Sequence, residues 1–440
     1  MSFFCKSCGY ESVKWAGQCP GCGDWNTFKE VTVSVKKNKN KSSVLKLKET
    51  PPLKLKDISF ENKERILTGM VEFDNVLGGG IIPGMVLLTG GEPGIGKSTL
   101  LLQISQIVSS KISVLYVSGE ESLQQIKIRA ERINAHSDNI IFLNTNSAER
   151  VIAVCDQIKP DFVVVDSIQS MSVQYLDSPP GSMNQMKESA SIFTSHAKST
   201  QTPFFLIGHI TKDGYVAGPK MIEHLVDTVL YFEGDPSLQH KILRSVKNRF
   251  GSTDEIAVFE MTGNGLQQVL NPSGLFVENR AESTGSAVGC FVSGTRAFLV
   301  EIQALVTKSV YGTAQRVSVG YDPKRLAMLL AVAEKYLDAD LRQFDIFLNV
   351  TGGFKSKDTS LDLAVLAAII SGYEDRPVKA LSATAGEVGL NGCIRRVSHL
   401  EKRIKEAEKM GFKHLFCKNK SKNSIVNDVS AIKDFYRQIF

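Results

Sequence analysis

Short apolar runs alternate with longer segments of helical periodicity between residues 85 and 210. The runs SVLYVS, IIFLN, FVVVDS and PFFLIGHI have the length and composition of buried strands. The segments between them predict helices from about residue 121, over 147–159 and over roughly 184–201. Such alternation specifies a parallel sheet with helices on its faces. An α/β domain is therefore predicted here.

A different pattern begins at about residue 280. The strand-like runs SAVGCFVSGTRAFLVEIQALV and FDIFLNVTGG lie on either side of a predicted helix over 322–338, and another helix is predicted from residue 360. A chain of 440 residues suggests about three domains. The predicted parts are an N-terminal segment over 1–30, a linker over 31–56, an α/β domain over 57–273 and an α+β domain over 280–440.

Composition and charge narrow the classes of protein. A hydrophobic content of 42% is ordinary for a globular protein. No run approaches the ~18 apolar residues of a membrane span, and MSFFCKSCGY lacks the features of a signal peptide, so a cytoplasmic protein without membrane contact is expected. The net charge is +6, but residues 31–56 alone carry eight Lys and one Glu, or +7. This linker is either a solvated tether or a non-specific phosphate contact.

The first 22 residues contain four of the eight cysteines, as two C-x-x-C pairs. Two such pairs can complete a closed tetrahedral shell of thiolates around a structural Zn²⁺, which would supply the folding energy of so short a segment. The predicted ligands are Cys5, Cys8, Cys19 and Cys22. The two tryptophans, Trp15 and Trp25, either cap this small core or stack on bases or on a partner protein.

The stretch MVLLTGGEPGIGKSTLLLQI predicts a strand, a glycine-rich loop and a helix, and it contains the pattern G-x-x-x-x-G-K-[ST]. Backbone N–H groups of such a loop cradle the phosphates of a nucleotide, Lys97 would reach the β and γ oxygens, and Ser98 would hold Mg²⁺. The chain has no N-K-x-D element to recognise guanine, so ATP is expected. The predicted nucleotide-binding residues are Gly91, Glu92, Pro93, Gly94, Ile95, Gly96, Lys97, Ser98, Thr99 and Asp166.

Acidic residues end two of the predicted strands. Asp166 ends FVVVD, where a carboxylate can lie in the second coordination shell of Mg²⁺. Glu120 and Glu121 end SVLYVSGE, at the edge where a general base would orient the attacking water. Acids at this position also favour a helix N-terminus. We predict the catalytic role and prefer Glu120 to Glu121.

A cluster of polar and basic residues interrupts the strand-like stretch 240–261. In a continuous strand Lys247 and Arg249 would share one face, while Asn248 would lie on the other. The two cations can act at the γ-phosphate of a neighbouring subunit, they can contact DNA together with Asn248, or the cluster can be an ordinary solvated turn.

Two Gly/Pro-rich loops, 172–186 and 211–220, follow strands at the same predicted sheet edge. They are candidates for gripping DNA, with Lys212 and Lys220 as phosphate contacts. His209, which ends PFFLIGH, either senses the γ-phosphate and relays its state to the second loop or is a buried structural histidine.

Several motifs together resemble the bacterial RadA (Sms) family of DNA repair proteins over essentially the whole chain. They are WAGQCPGCGDWN, TGMVEFDNVLGGGIIPGMVLLTGGEPGIGKST, SGEESLQQIKIRAERI, GHITKDGYVAGPKMIEHLVDTV and KNRFG. The resemblance implies a RecA-like ATPase that forms a homohexameric ring on single-stranded or branched DNA and drives branch migration during recombination. It also implies a RecA-type recombinase or a replicative helicase as a partner.

The region after residue 280 resembles the peptidase domain of the Lon protease, whose chemistry uses a serine and a lysine. The match puts Ser360 at the nucleophile position and Glu401 where the lysine should stand, while Lys402 would point to another face of its helix. Ser360 can also be the N-cap of the following helix. We interpret the domain as a non-catalytic scaffold with basic surface residues such as Arg395, Arg396 and Lys402.

The predicted fold class is therefore an α/β, RecA-like P-loop ATPase core between an N-terminal zinc ribbon and a C-terminal α+β domain resembling the Lon peptidase. Three functions compete: an ATP-driven motor on DNA, an ATP-dependent protease, and a RecA-like regulatory ATPase that acts on proteins. Glu401 argues against the protease, and KNRFG with the Lys-rich linker argues against the regulatory ATPase.

Overall fold

The computed structural model describes most of the chain outside the Lys-rich linker. The described residues are 2–5, 11–12, 14–20, 23–31, 54, 64–209, 222–233, 240–253, 255–277, 283–309, 314–353, 358–419 and 424–440. They belong to two units. The first unit consists of Met1–Gly69, Gly79–Pro93 and Lys97–Val229, and the second of Met70–Gly78, Gly94–Gly96 and Leu230–Phe440.

The N-terminal segment forms a small antiparallel sheet. Its strands are Glu11–Ser12, Ser2–Cys5 and Phe28–Val31, in that spatial order. Cys5, Cys19 and Phe28 are buried together beneath it. Trp15 and Trp25 are 56% and 69% exposed, so neither indole is buried within this core.

The first unit contains the predicted parallel sheet. From the glycine-loop strand outwards, its strands are Val86–Gly90, Phe204–Ile207, Phe162–Asp166, Val114–Ser118 and Ile140–Asn144. Its α-helices are Lys97–Val108, Leu123–Arg132, Ala148–Ile158 and Met183–Thr200, and a 3₁₀ turn covers Ile168–Ser170. These elements confirm the predicted alternation of strands and helices.

Local capping determines where two of these helices begin. Ser122 and Gln125 form a reciprocal capping box, so that helix begins at Leu123 rather than at 121. Ser147 caps the next helix by accepting a hydrogen bond from the N–H of Arg150. Because parallel strands end at one edge of a sheet, the residues that follow Gly90, Ser118, Asp166 and Ile207 gather there.

The longest segment of the second unit, Leu230–Phe440, begins within the strand Thr228–Glu233. Antiparallel strands follow at His240–Asn248, Ile256–Thr262 and Gly265–Gln268, and short helices cover Val71–Val76 and Pro272–Phe276. The first of these antiparallel strands ends at Asn248. Arg249 lies beyond it in a bend, so the predicted shared strand face of Lys247 and Arg249 is wrong.

A mixed sheet of seven strands organises the rest of the second unit. In spatial order, they are Arg316–Val319, Phe344–Val350, Arg296–Lys308, Ser286–Ser293, Ser382–Ala385, His414–Cys417 and Val426–Asp428. The helices here are Pro323–Leu337, Asp362–Glu374, Leu400–Lys409 and Ile432–Ile439, with a small strand pair at Glu387–Val388 and Ile394–Arg395. Sheet and helices enclose a core rich in Leu, Ile, Val and Ala, the predicted α+β organisation.

Within the described part of the chain, no helix is long and apolar enough to cross a membrane.

Candidate nucleotide-binding site

The glycine loop joins a strand that is buried along its whole length to a helix that begins at Lys97. Gly94 and Gly96 have φ of +78° and +115°, a region that side chains with a Cβ rarely adopt. A Cβ on Gly96 would also lie 2.9 Å from the methyl carbon of Met261. The predicted residues are arranged as Gly91, Glu92, Pro93, Gly94, Ile95 and Gly96 in the loop, then Lys97, Ser98 and Thr99 in the first turn of the helix.

Lys97 is the buried cation of this site, with 3% of its surface exposed. Its Nζ donates hydrogen bonds to the carbonyl oxygens of Gly91 and Glu92, each at 2.8 Å. Burial lowers the pKa of Lys97 to about 8, although the charges of Asp166, Glu120 and Glu92 oppose the change. The ammonium therefore has poor solvation, and its hydrogen-bond acceptors among the described residues are neutral carbonyl oxygens, which an anionic phosphate can replace favourably.

Asp166 ends the strand Phe162–Asp166 and is buried. Burial raises the pKa of Asp166, while hydrogen bonds from Ser98 and Tyr116 and the charge of Arg129 act in the opposite direction. The Tyr116 hydroxyl donates to Asp166 Oδ2 at 2.9 Å. The hydroxyl of Ser98 and the carboxylate of Asp166 are oxygen donors of the kind that Mg²⁺ prefers, so this pair fits the ion.

The structure gives the two adjacent glutamates different partners. Glu121 forms an ion pair with Arg129. Glu120 accepts a hydrogen bond from the Ser167 hydroxyl, and its Oε2 lies 3.6 Å from Nε2 of His209. The hydrogen bond with His209 is the largest cause of a lowered pKa for Glu120, assisted by Ser167 and the charge of Lys97. Glu120 is therefore an ionised carboxylate within the field of Lys97, whereas Glu121 is neutralised by an arginine.

His209 joins this group at the end of the strand Phe204–Ile207. Its Nδ1 is buried and has no hydrogen-bond partner among the described residues, and its main-chain oxygen accepts a hydrogen bond from Gln169 at 3.0 Å. The loop 211–220 with Lys212 and Lys220 lies outside the described residues.

Sequence reasoning missed three residues of the site, namely Tyr116, Ser167 and Arg129. Tyr116 reaches Asp166 because their strands are neighbours, with Ser118 paired to Asp166. A strand pattern does not reveal which strands pair. Ser167 directly follows Asp166 in the sequence, and this position could have been used to predict it as a residue of the site.

The other predicted loop is partly helical. The helix Met183–Thr200 begins inside the stretch 172–186. The buried Gln185 organises what precedes it, since its amide bonds to the main chain of Val173, Leu176 and Ser178 at 2.6–3.3 Å.

KNRFG is braced against the main chain of the segment before the glycine loop. The Asn248 amide donates to the carbonyl oxygens of Val76 and Leu77 at 3.4 and 3.2 Å. A Cβ on Gly251 would lie 2.9 Å from Cα of Gly78, so only glycine fits this approach. Arg249 is exposed and Lys247 is partly exposed. The asparagine and the glycine therefore hold the segment in place.

Two of the four predicted zinc ligands are described. Cys5 and Cys19 are each 1% exposed, and Cys5 Sγ lies 3.1 Å from Thr27 Oγ1. The N–H of Gly23 donates to the carbonyl oxygen of Cys19 at 2.8 Å, which makes a tight turn after the second cysteine pair. Cys8 and Cys22 lie outside the described residues. Two buried thiols in one small cluster fit a structural zinc site.

Ser360 is completely buried in a hydrogen-bonded cluster. Its hydroxyl donates to the carbonyl oxygen of Cys290 at 3.1 Å and accepts from Arg403 Nη1 at 2.7 Å. Arg403 also bonds to Asp358 Oδ2 at 2.8 Å and to the carbonyl oxygen of Ser398 at 3.0 Å. The guanidinium thus supplies donors where a serine nucleophile requires a base.

The roles predicted for other residues of this region can be compared with their positions in the structure. The proposed N-cap role of Ser360 is wrong, because its hydroxyl caps no helix and it lies in the 3₁₀ turn Thr359–Leu361. Glu401 is exposed on the helix Leu400–Lys409. Lys402 points elsewhere, as predicted, and donates to the carbonyl oxygen of Thr295 at 2.7 Å. Arg395 and Arg396 are exposed.

Protein-family models and solved structures match parts of the chain. A family model described as a rubredoxin metal binding domain matches residues 3–30, and one described as an AAA domain matches residues 49–215. Among solved structures, the RadB recombinase covers 46% of this chain and 99% of its own, with 22% identity and a TM-score of 0.38. A KaiC-like protein from Pyrococcus horikoshii covers 47% of this chain and 99% of its own, with 18% identity and a TM-score of 0.40.

Curated relatives match almost the whole chain. The DNA repair protein RadA of Listeria monocytogenes is 44% identical over 98% of this chain and 95% of its own length. The protein of the same name from Bacillus subtilis is 45% identical over 94% and 91%. The predicted P-loop ATPase fold and ATP-hydrolysing activity are confirmed by these relatives together with the AAA domain match. The chain belongs to the RadA family of DNA repair proteins.

Proposed function

We propose that this protein is an ATP-driven motor of recombinational DNA repair, which works as a homohexameric ring on single-stranded DNA and promotes branch migration. The observation that carries the proposal is the cluster of Lys97, Glu120, Asp166 and His209 at one edge of the parallel sheet. A recombinase or a replicative helicase is the partner that such a motor would serve, and the cytoplasm is its place of action.

ATP hydrolysis is assigned to residues of the first unit. The loop 91–96 and Thr99 bind the phosphates, and Lys97 neutralises their charge. Ser98 and Asp166 would hold Mg²⁺, which stabilises charge on the transferred phosphoryl group. Glu120 orients the attacking water, since it is ionised and faces Lys97, and His209 holds its carboxylate. Zn²⁺ on Cys5, Cys8, Cys19 and Cys22 would be structural.

Coupling to DNA is assigned to Lys247, Arg249, Lys212 and Lys220. Asn248, a candidate DNA contact on sequence grounds, instead positions the two cations of KNRFG. We favour an action of Lys247 and Arg249 at the nucleotide of the neighbouring subunit, with the two lysines at DNA phosphates. His209 lies 3.6 Å from Glu120 and precedes the loop 211–220 by two residues in the sequence, which suits a relay.

The C-terminal region acts as a scaffold rather than as a protease. The Ser360 hydroxyl donates to a carbonyl oxygen and accepts from a guanidinium, so among the described residues it is not hydrogen-bonded to a base that could take its proton. Its resemblance to the Lon peptidase domain then concerns architecture alone.

The test is an ATPase assay with and without single-stranded DNA at several salt concentrations. Lys247→Ala and Arg249→Ala should leave ATP binding intact and remove the stimulation by DNA. The matched control is Lys127→Ala, which removes an exposed cation from a helix, its side chain being 64% exposed.

Salt dependence separates the two possible actions of these cations. If a variant removes a cation that binds a DNA phosphate, the slope of log affinity against log salt should decrease by roughly one. If it removes a cation that acts at the nucleotide, that slope should stay unchanged and turnover should decrease. Full stimulation by DNA in both variants would contradict the proposed coupling.

A further inference from the structure

The N-terminal segment presents both tryptophans of the chain side by side. Trp15 is 56% exposed and Trp25 is 69% exposed. A Cβ on Gly17 would lie 3.7 Å from the ring of Trp25 and 3.9 Å from the ring of Trp15. The two indoles therefore flank the same glycine and leave most of their surface in contact with solvent.

Backbone hydrogen bonds fix this arrangement. The N–H of Asn26 donates to the carbonyl oxygen of Gly17 at 2.7 Å, and Gln18 forms an antiparallel bridge with Trp25. The turn is closed where the N–H of Gly23 meets the carbonyl oxygen of Cys19. This hairpin returns Trp25 to the neighbourhood of Trp15. The indoles are thus held in place by the main chain, although neither fills the cysteine core.

Exposed indoles need an explanation because their burial would stabilise the segment substantially. Among the described residues, the cysteine cluster consists of Cys5, Cys19 and Phe28 with Ala16 packed against it, and neither indole is one of its buried members. Two large, flat, apolar faces at a fixed position suit partners that also present flat faces, such as aromatic rings or nucleic-acid bases.

The charge of the sequence selects between these partners. Residues 1–30 contain three Lys and three acidic residues, so the tryptophan segment is neutral. Residues 31–56 follow directly and carry +7, with four of their Lys in the stretch 36–41. A ligand that suits both features combines flat bases with a chain of negative charges. Single-stranded nucleic acid has this chemistry, since bases stack on aromatic side chains and phosphates attract lysines.

We propose that Trp15 and Trp25 form a stacking platform for the unpaired bases of single-stranded DNA. The platform is a DNA contact additional to the two lysines proposed for the loop 211–220, and it is separate from the cations of KNRFG. It rests on the proposed function only in the choice of DNA as the nucleic acid.

Intrinsic fluorescence tests the platform in the full-length protein, because Trp15 and Trp25 are the two tryptophans of the chain. The probes are oligo(dT) and an abasic oligonucleotide of equal length, which has the same phosphates without bases. Oligo(dT) should quench the tryptophan emission, and the abasic probe should leave it nearly unchanged at the same ionic strength. Equal quenching by the abasic probe or by polyglutamate would overturn stacking, because any polyanion would then suffice.

Substitutions separate stacking from folding. In the Lys247→Ala, Arg249→Ala background, Trp15→Ala and Trp25→Ala should each weaken the binding of labelled oligo(dT) roughly fivefold or more. Trp15→Phe and Trp25→Phe should retain most of the affinity, and the tryptophan left in each should still be quenched. The control is Leu390→Ala, which removes another exposed apolar side chain. An unchanged zinc content verifies that the variants fold.

The outcomes distinguish this platform from the proposed motor. If DNA stimulates ATP hydrolysis at saturation without any quenching, the platform is overturned and the motor stands. If oligo(dT) quenches the emission without stimulating hydrolysis, the platform stands and the proposed coupling fails. Unchanged affinity in both tryptophan-to-alanine variants would also overturn the platform.

Discussion

Lys97 in the nucleotide site and Arg403 in the C-terminal cluster are both buried cations, and their partners differ. Lys97 donates to two neutral carbonyl oxygens, and burial lowers its pKa to about 8. Arg403 is paired with the carboxylate of Asp358 and bonds in addition to Ser360. Burial alone would raise the pKa of Asp358, but Arg403 and backbone N–H groups hold it below its ordinary value.

The difference separates a binding site from a structural cluster. A poorly solvated cation whose hydrogen bonds go to neutral carbonyl oxygens gains free energy when an anion binds next to it. A cation that is already paired with a carboxylate gains much less from a ligand, and its removal leaves that carboxylate without its counter-charge. Burial and residue type alone do not distinguish the two situations, whereas the partners do.

Lys97→Met gives the largest expected effect. ATP turnover should fall on the order of a thousandfold or more, because the charge that stabilises the transferred phosphoryl group is removed. The free energy of unfolding at pH 7 should not decrease, since the variant also removes a poorly solvated ammonium. Turnover and urea unfolding measured on one preparation check both statements. A strongly destabilised Lys97→Met protein would mean that Lys97 has a structural role like that of Arg403.

Arg403→Met should lower stability and leave ATP turnover nearly unchanged, the opposite of Lys97→Met. The substitution keeps much of the side-chain volume but leaves the partly buried Asp358, whose side chain is 23% exposed, without its counter-charge, which should cost up to about 3–5 kcal/mol of unfolding free energy. ATP turnover per folded molecule should change little. Urea unfolding provides the measurement, with Lys402→Met as the control, because Lys402 is exposed and bonds to a single carbonyl oxygen. An equally stable Arg403→Met protein would contradict the structural interpretation of the cluster.

Glu120→Gln tests the base within the nucleotide site, and Glu121→Gln is its matched control. The first substitution should lower turnover about a hundredfold at nearly unchanged ATP affinity, because the amide cannot orient and accept from water in the same way. The second should mainly weaken the ion pair with Arg129. If Glu121→Gln has the larger effect on turnover, the preference for Glu120 is wrong.

Features that depend on the local residue pattern could be predicted from the sequence, whereas contacts that depend on which elements are neighbours could not. Residue type and spacing were enough to predict the strand FVVVD with Asp166 at its end and the glycine loop with Lys97. The hydrogen bond from Tyr116 to Asp166 could not be predicted, since it depends on which strands are neighbours. The partner of Glu120 could likewise not be predicted, since His209 comes from a distant part of the chain, whereas Arg129 lies eight residues after Glu121 on the following helix.

The same limit explains the C-terminal cluster. Matching to a protease pattern identified Ser360 and the glutamate at position 401, but Arg403 contacts Ser360 because of the helix Leu400–Lys409 and its packing. The bend that follows Asn248 was missed for a related reason. The side-chain amide of Asn248 donates to the carbonyl oxygens of Val76 and Leu77, which are far away in sequence. Interactions of this kind are absent from any local pattern.

The smallest predicted effect concerns pH and follows from the lowered pKa of Lys97, about 8. Below pH 8 the free protein already carries the proton, so ATP affinity should be constant as far as Lys97 is concerned. Above pH 8 the free lysine is neutral, and ATP binding must take up a proton. Affinity should then fall by at most about tenfold per pH unit, and proton uptake should rise towards one per site.

The contribution of Lys97 to the unfolding free energy should increase with pH, whereas its contribution to ATP affinity decreases. The unfolded chain, with the ordinary lysine pKa of 10.5, binds a proton between pH 8 and 10.5 that the folded protein lacks. The unfolding free energy should therefore rise with pH across that interval. The carboxyl of Asp358, whose pKa is lowered, is ionised throughout this interval and adds no slope there. Calorimetry in two buffers of different ionisation enthalpy counts the protons, and Lys97→Met supplies the baseline for unfolding. Zero proton uptake at pH 9 with intact ATP binding would show that Lys97 keeps its charge in the free protein, and the contrast with Arg403 would then rest on hydrogen-bond partners alone.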